Sequence, residues 1–213
     1  MWFDILPSFW EGAKITIELT LFSAIIAFFL AFTAGFGRLS KYSAIRFLAT
    51  TYVEVFRGTS LFVQLFWIYF ALPLFGIMLP KMVAGVLALS LNAGAYGSEI
   101  VRSTIISVPK GQTEAAIALN MTPWQRTRLV ILPQALVMML PAFGNLIIEM
   151  LKGTALVSLV TLSDLTFVAT VLNSSIMRPT EIFSVLLIIY FVISLPFTRG
   201  IRWIEHRLSA GRY

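Results

Sequence analysis

Five apolar stretches divide this chain, and they are long enough for helices that cross a lipid bilayer. They cover about residues 15–36, 60–79, 82–101, 135–157 and 182–196. About 20 predominantly apolar residues suffice for one helical span. Hydrophobic residues make up 58% of the chain and charged residues 12%, whereas soluble domains average about 45–50% and about 25%. The sequence therefore predicts an all-α integral membrane protein, with five transmembrane helices in a single domain over residues 1–213.

The basic residues predict the orientation of these spans. Three segments lie on one side of a five-span protein: the connections between spans one and two and between spans three and four, and the segment after span five. They hold 12 of the 16 Lys and Arg residues, namely Arg38, Lys41, Arg46, Arg57, Arg102, Lys110, Arg126, Arg128, Arg199, Arg202, Arg207 and Arg212. Basic connections stay in the cytoplasm. We expect the N-terminus outside and the C-terminus in the cytoplasm, with a short helix lying back over the bundle in the external loop, about residues 158–180.

Several classes of site are excluded by composition. The net charge of +6 is spread between apolar stretches and forms no basic stripe, so it indicates lipid headgroup contacts rather than nucleic acid. The chain has no cysteine, and its one histidine is His206, which leaves no thiol chemistry and no histidine cluster for a metal. No cofactor is expected.

The cytoplasmic segment of about residues 103–133 has the signals of a helical hairpin. Good helix formers are frequent from Glu114 to Leu119, and Asn120 follows where a left-handed closing residue is needed. The second helix begins with a capping residue, a proline at the first position and the glutamine of a capping box, at Thr122, Pro123 and Gln125. We expect it to end before Pro133. The hairpin serves either as a docking element or as a plain connection, and its compact, partly apolar character favours docking.

The same segment resembles the EAA loop of ABC importer permeases. The residues that carry the resemblance are Glu114, Ala115, Ala116, Asn120, Ile131 and Pro133. Asn120 stands where the family pattern has glycine, and asparagine is the next most suitable residue for that turn. Further segments are similar to the polar amino acid subfamily, and the ordered set extends from Gly12 to about Leu165. These segments are residues 52–65, 91–96, 144–145 and 151–156.

The resemblance implies a type I ABC importer permease fold in the bacterial cytoplasmic (inner) membrane. It also implies four kinds of contact: ABC ATPase subunits docked on the EAA loop, a second permease subunit (the same or a paralogous chain), an extracytoplasmic solute-binding protein and the lipid bilayer. The expected substrate is an amino acid, with opines and ectoine-like zwitterions as alternatives. The chain itself is not expected to be an enzyme, because it contains no GxxxxGK[ST] phosphate loop.

Polar residues within the apolar stretches are candidates for the substrate pathway, since ionisable groups at membrane depth are costly and usually functional. Two sets lie at helical spacing, one from Asn92 to Glu99 and one from Asn145 to Lys152. The candidates are Asn92, Tyr96, Asn145, Glu149 and Thr154. Simpler roles remain open: Glu149 and Lys152 could neutralise each other, Asn92 could join two helices, and Glu99 is expected to pair with Arg102.

Two other classes of function compete with an ABC permease. A secondary transporter would need inverted repeats and its own coupling-ion site, and no repeat is visible in the sequence. A non-transporting membrane scaffold would need neither polar residues in two spans nor a capped cytoplasmic hairpin.

Overall fold

The computed structural model describes residues 2–209, and every regular element between these residues is helical. Two helices continue directly into turns of different hydrogen-bond spacing. The short α3 is followed by a π-helical turn and a 3-10 turn that ends at Phe75, and α7 is followed by a 3-10 turn that ends at Val160. The helices are α1 (Trp2–Arg38), α2 (Ser43–Gly58), α3 (Leu61–Phe66), α4 (Lys81–Ser107), α5 (Lys110–Ala118), α6 (Pro123–Gln125), α7 (Leu132–Gly153), α8 (Leu165–Ile176) and α9 (Pro179–Ser209).

Helix α4 lies at the centre of the bundle and packs closely against α1. Most of its buried positions between Ala84 and Val101 are small residues, which allow two helix backbones to approach each other. A Cβ atom at Gly97 would lie 2.7 Å from the Cβ of Ala31, and a Cβ at Gly94 would lie 2.7 Å from the Cβ of Leu30. The contact between α1 and α4 therefore depends on glycine at these positions.

Three helical runs among the described residues are long and apolar enough to cross a membrane: Leu6–Arg38, Pro123–Val160 and Pro179–Glu205. They contain the predicted first, fourth and fifth spans. The pair Ser43–Gly58 and Leu61–Phe75, bent by 104°, makes a fourth if it counts as one broken span. Helix α4 contains the predicted third span and is long enough at 27 residues. Its buried polar and small residues make it less apolar than the three runs above, as suits a helix shielded from lipid by its neighbours.

The region of the second predicted span differs from the expectation. Its helical part is Leu61–Phe75, and the chain turns at Gly76, whose φ of 82° lies in the left-handed region. Residues 43–58, expected to be a connection, form α2 instead. The bend between α2 and α3 is held by side chains: Gln64 Nε2 donates to the Phe56 carbonyl at 2.8 Å and to Thr59 Oγ1 at 2.8 Å. These bonds satisfy groups freed at the end of a helix.

The segment of residues 158–180 contains the short helix that we expected, α8, which packs against α1 and α9 around Phe9, Leu165 and Ile182. Asp164 caps it by accepting hydrogen bonds from the backbone N–H groups of Thr166 (3.2 Å) and Phe167 (3.0 Å). Asp164 is fully buried, and burial raises the pKa of its carboxyl group from 3.8 to about 6.

Helix α9 is longer than the predicted span of residues 182–196. It continues through Pro196 to Ser209, because a membrane helix tolerates an internal proline where neighbouring groups compensate for the lost backbone bond. Arg212 lies outside the described residues, as does the side chain of His206.

Candidate functional site

The hairpin between α4 and α7 closes with the turn that the sequence predicts. Asn120 has a φ of 54°. Its N–H donates to the Ile117 carbonyl at 2.9 Å, and the Met121 N–H donates to the Ala116 carbonyl at 3.0 Å. This pair of bonds is the Schellman arrangement, in which the residue after the helix end adopts the left-handed conformation.

The second helix of the hairpin begins with a complete capping box. Thr122 Oγ1 accepts from the Gln125 N–H at 3.3 Å, and Gln125 Oε1 accepts from the Thr122 N–H at 2.9 Å. The expectation that this helix ends before Pro133 was wrong. The backbone passes through a π-helical segment, Arg126–Ile131, directly into α7. Leu132 N–H donates to the Thr127 carbonyl, five residues back. This local change of hydrogen-bond spacing accommodates a proline, which has no N–H to donate.

The residues of the EAA loop divide between the surface and the interior of the hairpin. Glu114, Ala115, Asn120 and Pro133 are exposed, and Ile131 is half-buried. Ala116 is only 2% exposed, and its helix, α5, packs against the second helix of the hairpin. Ala116 is therefore covered within the hairpin, while Glu114 and Ala115 form the exposed surface beside it. Large apolar side chains are also exposed around the hairpin: Ile106, Ile117, Leu119, Trp124 and Leu129.

Two of the predicted pathway residues are engaged in internal hydrogen bonds. Asn92 Nδ2 donates to the Phe56 carbonyl and to Gln64 Oε1, both at 3.1 Å. Thr154 is fully buried, and its Oγ1 donates to the Leu151 carbonyl at 2.7 Å. Asn92 therefore joins α4 to the bend between α2 and α3, which supports the simpler role that the sequence left open.

The other three predicted pathway residues line one open cleft of about 350 Å³. Tyr96 enters from α4, and Asn145 and Glu149 enter from α7. Two charged residues that we did not predict to belong to the pathway, Arg57 on α2 and Glu99 on α4, share the same lining. The cleft thus combines three helices and carries both signs of charge.

Glu99 is the centre of a cluster of arginines at one edge of the cleft. It forms an ion pair with Arg102 at 2.6 Å, as predicted, and a second with Arg38 of α1. Arg57 lies further away, with its Nη1 3.7 Å from Glu99 Oε2. The sequence indicated only orientation signals at Arg38 and Arg57, because the helix period brings Glu99 to Arg102 alone.

Glu149 has no ion-pair partner among residues 2–209. The neutralising pair with Lys152, three residues further along α7, is therefore not formed. Glu149 and Asn145 are both exposed.

Relatives of this chain are membrane components of transport systems. A probable amino-acid ABC transporter permease of Sinorhizobium fredii is 46% identical, over 99% of this chain and 91% of that protein. The glutamine transport system permease of Escherichia coli is 34% identical, over 96% of this chain and 94% of that protein. The crystal structure of an amino acid ABC transporter with histidines superposes with a TM-score of 0.91 at 39% identity, covering 97% of this chain and 96% of that one.

The family match extends over most of the chain. Residues 23–210 match the binding-protein-dependent transport system inner membrane component. The relatives and the family match confirm the resemblance to ABC transporter permeases and the location in the inner membrane. The chain belongs to the binding-protein-dependent transport system inner membrane component family.

Proposed function

We propose that this chain is the permease subunit of an ABC importer that carries an amino acid or a related small zwitterion, such as an opine. The relatives above are named as amino-acid or glutamine permeases. The observation that carries the proposal is the exposed, capped hairpin, which presents Glu114 and several apolar side chains on a chain otherwise built for lipid. A large exposed apolar surface that is not lipid-facing is typical of a protein interface.

The proposed topology has five spans: α1, the bent pair of α2 and α3, α4, the run through α7, and α9. The N-terminus is outside and the C-terminus is cytoplasmic. Supporting this orientation, the basic cluster around Glu99 lies near the α4 end that leads into the hairpin. Cytoplasmic ends are enriched in Lys and Arg.

The proposed partners follow from the hairpin and from the family. ABC ATPase subunits dock on the EAA loop, a second permease completes the pathway, and a solute-binding protein delivers the substrate. ATP hydrolysis takes place on the partner, because this chain contains no phosphate loop. In this scheme Ala116 and Asn120 shape the hairpin, while Glu114 and Ala115 contact the ATPase.

The proposed substrate pathway includes the cleft lined by Tyr96, Asn145 and Glu149. Ionisable groups in membrane proteins usually face such water-accessible cavities. Asn92 and Thr154 contribute to the pathway through the helix geometry that their hydrogen bonds maintain.

Substrate-stimulated ATP hydrolysis tests the proposal. The chain is reconstituted in liposomes with the ATPase, sister permease and binding protein encoded beside it, and a panel of amino acids, opines and ectoine is added in turn. We expect one solute or a small group of solutes to stimulate hydrolysis and to accumulate inside the liposomes. An assembled complex with steady basal hydrolysis and no response to any member of the panel would refute the proposed substrate class.

A further inference from the structure

We propose that Arg57 binds the carboxylate of the substrate in the cleft while Glu149 binds its ammonium group, so that the permease itself selects zwitterions. This inference rests on the proposed function and adds to it a residue that the sequence indicated only as an orientation signal. It assigns a binding role to residues of two helices that line the cleft, α2 and α7, both of which pack against α4.

Arg57 has the longest ion pair with Glu99 in the arginine cluster, so it is the member best able to bind another anion. The single carboxylate of Glu99 already has two closer partners, Arg102 at 2.6 Å and Arg38. Arg57 stands at 3.7 Å, and its side chain is 39% exposed, compared with 13% for Arg38. Three guanidinium groups around one carboxylate leave excess positive charge, and Arg57 is the arginine that lines the cleft. A guanidinium group binds a carboxylate through two parallel hydrogen bonds.

Tyr96 holds the guanidinium group of Arg57 in position at the cleft. The Arg57 Cζ atom lies 5.3 Å from the centre of the Tyr96 ring, within the range of a cation–π contact. This contact orients the planar group without using its N–H donors. The donors therefore remain available for a ligand.

Helix α7 supplies the complementary charge. Glu149 lines the same cleft from α7, is exposed and has no ion-pair partner among the described residues. Asn145, one turn earlier on α7, adds an amide that can donate to or accept from the same ligand. A cation on one wall and an unpaired carboxylate on the other match a substrate that carries both charges. A simple amine or a simple carboxylic acid would leave one wall unmatched, which costs binding free energy.

The test uses binding to the permease–ATPase complex without the binding protein, because the binding protein selects substrates on its own. The first ligand is the amino acid that most strongly stimulates ATP hydrolysis in the full system. The second and third are its α-carboxamide, which lacks the negative charge, and its N-acetyl derivative, which lacks the positive charge. Saturation-transfer NMR measures all three, since it detects weak binding.

We expect the wild-type complex to bind the free amino acid about 10- to 100-fold more tightly than either derivative, the range for a hydrogen bond to a charged group. Arg57→Gln should lose the preference over the carboxamide and keep the preference over the N-acetyl form. Glu149→Gln should do the reverse. Arg57→Lys, which retains the cation and its pair with Glu99, should keep part of the carboxylate preference and shows that the fold survives substitution.

Arg178→Gln is the matched control, because Arg178 pairs with Glu181 at the start of α9 and lies outside the cleft. It should bind all three ligands as the wild type does. If Arg57→Gln elutes as an intact complex and still prefers the carboxylate to the carboxamide, the inference is overturned. Stimulation of the wild-type complex by an amino acid would then still support the proposed function, so the two failures are distinguishable.

Discussion

Reversing the charge of Glu114 should uncouple the ATPase from the permease without unfolding it. The Glu114 side chain is exposed and forms no ion pair or hydrogen bond within residues 2–209. Exposed substitutions of this kind change the free energy of unfolding by about 0.5 kcal/mol or less. If Glu114 pairs with a basic residue of the ATPase, losing that pair costs about 2–5 kcal/mol of binding free energy. Each 1.4 kcal/mol is tenfold, so Glu114→Lys should weaken docking by roughly 30-fold or more.

The assay compares ATPase retention on the immobilised permease with substrate-stimulated hydrolysis in liposomes. Glu11→Lys is the control, because it makes the same charge reversal at an exposed position near the N-terminal end of α1, where only the surface pair with Lys14 is lost. We expect Glu114→Lys to reduce both readouts and Glu11→Lys to leave both near wild type. Wild-type retention and hydrolysis in Glu114→Lys, at equal amounts of inserted permease, would refute the docking role of this side chain.

Three further substitutions test the packing, the capping and the hairpin. Gly97→Val should lower the midpoint of thermal unfolding, measured by size-exclusion chromatography after heating, because overpacking at the α1–α4 contact costs about 1–3 kcal/mol. Gly200→Val, at a position with nothing within 4 Å, should change the midpoint much less. The raised pKa of Asp164, about 6, means that the protonated carboxyl group stabilises the fold, an effect present below about pH 4 and lost as the pH rises through about 6. The difference between the unfolding midpoints of the wild type and Asp164→Asn should therefore decrease in favour of the variant as the pH rises from about 4 to about 8. A difference that stays constant over this range would contradict the assignment. Ala116→Leu should destabilise the hairpin because Ala116 is buried within it, and limited proteolysis of residues 103–133 should then be faster. Ala115→Leu, at an exposed position, should be cleaved at the wild-type rate while weakening ATPase retention.

The elements that could be predicted from the sequence are those stabilised by neighbours along the chain. The hairpin turn depends on Asn120, and the start of the second helix depends on Thr122 and Gln125, three residues apart. Capping preferences are local, so they appear in a single sequence. The pair of Glu99 with Arg102 is likewise set by the helix period.

The elements that could not be predicted depend on partners far apart in the sequence. Arg38 reaches Glu99 across 61 positions, and Asn92 reaches Gln64 across 28. The second of these contacts helps to hold the bend between α2 and α3. Hydropathy does not show such a contact, and it therefore indicated only a single span over residues 60–79. Burial of Ala116 depends on how the two hairpin helices meet. A pattern of good helix formers does not show which face of α5 is covered.

One continuous helical run connects the proposed docking element to the proposed substrate cleft. It extends over 38 residues from Pro123 to Val160, or about 57 Å at 1.5 Å per residue. Its first turn belongs to the hairpin, and its middle carries Asn145 and Glu149 into the cleft. Because α5 packs against the π-helical part of this run, a push on α5 also acts on the run. The π-helical segment Arg126–Ile131 lies between the two sites, and π turns within helices are frequent at functional sites. If the ATPase docks on the hairpin as proposed, its motion reaches the cleft through this one helix.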